Sequence, residues 1–123
     1  MSLTESNLCD GSFDVVACFN VLDRCDNPYL LMSELRKCVK PDGLVVLAVV
    51  MPYYSIVDVG TKGAKEASNA LKGIPGRGDK APNRFERCVN AIVTHVFEKA
   101  GFDLVSLSRV PYLSHGDNRR GLY

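Results

Sequence analysis

No apolar run in this chain approaches the ~20 residues needed to cross a bilayer. The opening Met1-Ser2-Leu3-Thr4-Glu5 lacks the basic and apolar regions of a secretory leader. The expected location is therefore intracellular, cytoplasmic by default. There is no C-x-x-C pair among the five cysteines, so neither a zinc site nor a disulfide framework is indicated and the thiols are expected to be reduced. Charge of one sign is also missing: the formal net charge is +1, which gives no global pull toward nucleic acid or a membrane surface. Internal repeats are absent as well. His95 lies on the flank of an amphipathic helix and His115 in a polar tail, without a carboxylate or second histidine at ligand-like spacing, so no metal site is expected. Most telling, nothing before Phe13 supplies the glycine-rich strand-turn-helix with which an open α/β sheet grips a cofactor.

What is present is one soluble domain's worth of chain, 123 residues with 46% hydrophobic and 24% charged. Residues 1–12 are polar and read as a lead-in. Phe13 to Phe19 is nearly all apolar, interrupted by Asp14, which is the pattern of a parallel strand covered on both faces. Asn27 before Pro28 reads as an N-cap followed by a first-turn proline, and Tyr29, Leu31, Met32, Leu35 and Val39 form a helical stripe. That helix is expected to stop at Lys40-Pro41-Asp42-Gly43, where glycine permits a positive φ. Leu44 to Val50 is a second buried strand, parallel to the first through a right-handed crossover. From Pro52 to Asn83 the chain is a long loop with a short helix around Lys65 to Leu71, and such loops are usually functional or disordered. Seven Lys or Arg against three Asp or Glu between Lys62 and Arg87 make it mildly basic, and Gly73 to Gly78 has the wrong spacing for a nucleotide loop. Arg84 to Ala100 is the clearest helix, capped by Gly101, and Phe102 to Val110 reads as an edge strand.

The chemistry concentrates after the first strand. In open α/β sheets ligands bind beyond the carboxyl ends of parallel strands, and Asn20 and Asp23 fall there, with Pro52-Tyr53-Tyr54 at the end of the second strand on the same edge. Taken alone, Asn20 and Asp23 also suit turn and cap positions, and Tyr112 after Pro111 suits packing.

The residues Asn20-Val21-Leu22-Asp23-Arg24-Cys25-Asp26, then Met51-Pro52-Tyr53, Val57-Asp58-Val59-Gly60 and Arg109-Val110-Pro111-Tyr112-Leu113 with Gly116-Asp117, together resemble the methyltransferase-like protein 9 (DREV) family. These are class I protein-histidine methyltransferases, and the resemblance covers roughly Phe13 to Asp117. It implies an α/β fold in the form of a partial Rossmann-like sheet with flanking helices, lacking the amino-terminal cofactor-binding half and the last strand. It further implies S-adenosylmethionine as the methyl donor of the complete domain, with the cofactor-binding residues of this chain unknown. By the same resemblance Asn20 and Asp23 hold the target imidazole, while Tyr112 and Tyr53 belong to the substrate pocket.

On this basis residues 13–117 are expected to be the carboxyl half of a methyltransferase domain and 118–123 a tail. The expected function is that of a fragment or truncated protein-histidine N-methyltransferase, inactive alone. The alternative is a non-catalytic peptide-binding or regulatory module derived from that family, using Tyr53, Tyr54, Tyr112 and the basic loop. The partners expected are a histidine-containing protein or peptide and, through an exposed edge of the sheet, another strand. No nucleic acid or membrane partner is expected.

Overall fold

A computed structural model describes residues 10–76 and 78–111. Strand β1, Phe13–Phe19, is followed by helix α1, Pro28–Cys38, and strand β2, Val39–Ala48. The two strands pair in parallel, from Phe13 with Val39 through Val15 with Leu44 to Phe19 with Ala48. The helix begins as its sequence dictates. Asn27 Oδ1 accepts the Leu30 backbone N–H at 3.0 Å, which satisfies one of the first-turn donors that no carbonyl can reach, and Pro28 occupies the turn where a missing N–H costs nothing.

The junction of α1 and β2 departs from expectation. The helix ends at Cys38 and β2 already starts at Val39, so Lys40-Pro41-Asp42-Gly43 is not a free turn but an irregular part of the strand. Between the first two register pairs β1 advances from Phe13 to Val15 while β2 advances from Val39 to Leu44, and the surplus residues bulge outward. Gly43 serves close approach there rather than a positive φ. A Cβ on it would lie 2.6 Å from Val39 Cγ2 and 2.8 Å from the Asp14 carbonyl oxygen.

The loop after β2 begins with a cis Met51–Pro52 bond. It contains a small antiparallel pair, β3 at Val57–Asp58 and β4 at Ala64–Lys65. The helix expected around Lys65 to Leu71 does not form. Hydrogen bonds from Ser68 and Asn69 to Asp26 and a buried Ala67 and Leu71 take the place of helical ones. Helix α2, Arg84–Ile92, continues through a π turn, Val93–Phe97, and a 3-10 turn, Glu98–Ala100, to Gly101 at φ 86°. Cys88, Val89, Ile92 and Val96 form its buried stripe, as the periodicity anticipates.

The core joins these pieces on one side of the sheet: Cys18 and Leu22 from the first strand and its turn, Met32 and Leu35 from α1, Tyr53 and Leu71 from the loop, and Cys88, Ile92 and Val96 from the second helix. The other side is bare. Val15 and Phe19 in β1 and Leu44 and Val46 in β2 are each about half exposed, so β1 is covered on one face and not on both. Phe102 to Val110 also differs from expectation: it forms no strand and has no ladder partner among the described residues, and Leu104, Val105, Leu107 and Val110 are exposed. An alternating pattern creates a strand only where an edge is available to satisfy its backbone groups. Cys38 is disulfide-bonded, whereas Cys18, Cys25 and Cys88 are free, which corrects the expectation that every thiol is reduced. Absence of a C-x-x-C pair excludes a local bridge and says nothing about cysteines distant in sequence. The tail and most of the lead-in lie outside the described residues. Among the described residues no helix is long and apolar enough to cross a membrane.

Two substitutions probe this frame. Asn27→Ala is expected to lower unfolding free energy by ~1 kcal/mol through loss of the cap. Gly43→Ala is expected to cost more, about 1–3 kcal/mol, because the backbone oxygen it meets cannot move aside. Urea denaturation followed by circular dichroism measures both.

Candidate functional site

β1 and β2 end on one edge because they are parallel. Asn20 leaves β1 at φ 55°, a left-handed conformation that asparagine tolerates better than most residues, and its N–H donates to the Ala48 carbonyl at 2.9 Å. This locks the two strand ends together and turns the chain back under the sheet edge. Three residues on, Asp23 is 5% exposed. Its carbonyl accepts the Ile56 N–H at 2.9 Å, which stitches the loop after β2 to the turn after β1.

A second stitch reinforces the first. Asp26 Oδ1 accepts from both the Ser68 N–H and the Ser68 hydroxyl at 2.9 Å, and Lys65 Nζ lies 3.4 Å away. The Ser68 donors, more than the Lys65 charge, hold the Asp26 carboxyl below its ordinary range. Further along, the Lys72 N–H donates to the Tyr29 hydroxyl at 3.2 Å. The long loop is thereby ordered over the turn rather than left free.

Under this loop three polar atoms are buried without a hydrogen-bond partner: Asp23 Oδ1, Tyr53 Oη and Ser55 Oγ. The three residues are only 5–6% exposed. Burial pushes the Asp23 carboxyl up, against the smaller opposing pulls of its own backbone and of Arg24. Burial likewise pushes the Tyr53 hydroxyl up to about 12, with the Ser55 hydroxyl acting in the opposite sense and the Asp23 and Cys25 charges adding to the rise. Tyr53 and Ser55 are thus neighbours, although their oxygens do not meet in good hydrogen-bond geometry. The Cys25 thiol donates to the Leu22 carbonyl at 3.6 Å and is pushed up by burial, which keeps it protonated and unsuited to nucleophilic work.

An unmet buried polar group costs about 1–3 kcal/mol, and folded proteins keep few of them. Here three such atoms, from Asp23, Tyr53 and Ser55, lie under one loop near the carboxyl ends of the parallel strands. Of the residues singled out in sequence, the structure brings Asp23 and Tyr53 together and sets Asn20 at the entrance of the same turn. Tyr112 lies outside the described residues. Ser55 was missed: its only trace in sequence is its two-residue offset from Tyr53, which in extended chain places both on one side. Among the described residues no cluster of three or more His, Cys, Asp or Glu is placed to hold a metal.

The parallel strand-helix-strand unit, with polar side chains after its first strand, makes this a mixed α/β protein. Compared with known families, the chain matches the DREV methyltransferase family over residues 1–123, and it belongs to that family. Its function is accordingly methyltransferase-related. Methyltransferases of this kind generally use S-adenosylmethionine.

The Asp23 penalty has a definite pH signature. A carboxyl raised in the folded state stabilises the fold below its unfolded value and loses that contribution as pH climbs through the folded value. Asp23→Asn removes the charge and keeps the shape. The variant is expected to be more stable than the parent at pH 7, with the difference shrinking toward pH ~4. Thermal melts across that range measure the effect.

Proposed function

We propose that the chain carries the acceptor-binding part of a protein-histidine N-methyltransferase, with Asp23 holding the target imidazole and with a histidine-containing protein or peptide as partner. The observation that carries this reading is the buried trio of unsatisfied oxygens on Asp23, Tyr53 and Ser55. A neutral imidazole presents one N–H and one lone pair. The Asp23 carboxylate accepts the N–H, which fixes the tautomer and leaves the other nitrogen free to receive a methyl group. Asn20 and Tyr53 flank the ring and limit its orientation, and orientation supplies much of the rate in a transfer between two held partners.

As the ring nitrogen gains a methyl group the imidazole becomes cationic, and a buried carboxylate stabilises that developing charge more than it stabilises the neutral ring. The reaction needs no strong base, because free histidine titrates near ~6.5 and is mostly neutral above that value. The methyl donor used by the family's chemistry is S-adenosylmethionine. The contribution assigned to this chain is capture and aiming of the acceptor.

The test is binding of a histidine-rich peptide. Saturable binding is expected above pH ~6.5 and weakening below it, as the substrate histidine takes up a second proton. Asp23→Asn is expected to weaken that binding roughly tenfold or more while the fold persists, because the variant offers the imidazole N–H a neutral acceptor in place of a carboxylate. Unchanged binding by that variant, or equal affinity for the same peptide with lysine in place of histidine, would overturn the assignment.

A further inference from the structure

Away from the buried trio a cleft of about 680 Å³ runs between the two helices. It contains none of Asn20, Asp23, Tyr53 or Ser55. Its floor is apolar, made by Met32 and Val96, which are 0% and 2% exposed, and Tyr29 stands at its rim. Its walls carry Arg36, Lys37, Lys72, Lys99 and His95, and no carboxylate lines it. None of the four lysine and arginine head groups has an ion pair among the described residues. By contrast, Lys40, Lys65 and Arg87 elsewhere are each matched with an aspartate.

The charges are not evenly spread. Arg36 and Lys37 close the last turn of α1, and Lys99 lies in the last turn of the second helix. Those two ends meet, since a Cβ on Gly101 would lie 3.7 Å from Arg36 Nε. Lys72 sits at the opposite end of the cleft, where its N–H binds Tyr29. Tyr29 to Lys37 spans about 12 Å of helix, so three cations converge at one end of a groove of that length. Basic side chains at helix carboxyl ends complement the helix dipole, but each end offers only about half a negative charge. Three cations exceed what two helix ends neutralise. The π turn Val93–Phe97 carries His95 and Val96 into the cleft, and such turns recur at functional positions in helices.

We propose that this cleft binds a phosphorylated small molecule, its phosphate at the Arg36, Lys37 and Lys99 end and its apolar body against the accessible Tyr29 ring, over the floor that the buried Met32 and Val96 support. A phosphate monoester concentrates up to about two negative charges on three oxygens, which suits cations converging from two helix ends and the forked donors of Arg36. An acidic peptide spreads its charge one carboxylate at a time. Nucleic acid requires a longer basic stripe than this chain of net charge +1 offers. The cleft volume falls within the range of small-molecule sites, and the proposal is independent of the chemistry at Asp23.

The experiment titrates the full chain with 2-naphthyl phosphate, followed by ligand fluorescence, beside inorganic phosphate, 2-naphthol and a tetraglutamate peptide. Saturable binding of 2-naphthyl phosphate, tighter than any of the other three, is expected. The pair Lys37→Gln with Lys99→Gln, both exposed positions that leave the core untouched, is expected to weaken it at least about tenfold. Lys62→Gln with Lys80→Gln, outside the cleft, and Asp23→Asn are expected to leave it unchanged. Absence of saturable binding, equal weakening by the Lys62 and Lys80 pair, or equal affinity for the tetraglutamate peptide would overturn the proposal.

Discussion

The hydrogen bond from the Asn20 N–H to the Ala48 carbonyl joins the ends of two parallel strands, and the geometry of the site depends on that junction. Parallel pairing demands a crossover, which α1 supplies, and it puts both strand ends on one edge. From there the chain turns twice into the same volume, once through Asp23 and once through Tyr53 and Ser55. The Ile56 to Asp23 backbone bond and the Ser68 to Asp26 bonds then fasten the long loop down. Without the shared edge these side chains would belong to two unrelated loops.

Fastening the loop creates the tension that marks the site. The same closure that buries Asp23, Tyr53 and Ser55 deprives their oxygens of water without giving them partners. Such an arrangement opposes stability, because a buried oxygen without a partner forfeits the hydrogen bonds that water gave it. The cleft between the helices obeys a different logic: cations without ion-pair partners among the described residues stand around an apolar floor, and their mutual repulsion is relieved by an anion.

The bare face of the sheet shows the limit of local pattern. Phe13 to Phe19 is apolar at nearly every position, as strands covered on both sides are, yet only the side facing α1 and α2 is packed. Phe102 to Val110 alternates as an edge strand does, yet finds no edge among the described residues. Patterning states which neighbours a segment is suited to, and it does not supply them. The residues Lys40 to Gly43 make a related point. Proline and glycine there mark a departure from helix, but whether the chain leaves as a turn or as a bulged strand is decided by the Asp14 carbonyl lying against Gly43.

Elements governed by contacts within one or two turns were legible in the sequence: the Asn27 cap, the stripe of α1, the long helix from Arg84 and its stop at Gly101. So was the polar end of β1, because Asn20 and Asp23 follow an apolar run directly. The tertiary structure alone decided that Ser55 joins Asp23 and Tyr53, that the segment around Ser68 is held as a loop instead of a helix, and that four cations from two helices and a loop line one cleft. Each of these depends on side chains brought together across tens of residues by the parallel crossover. Spacing along the chain records no such distance in space.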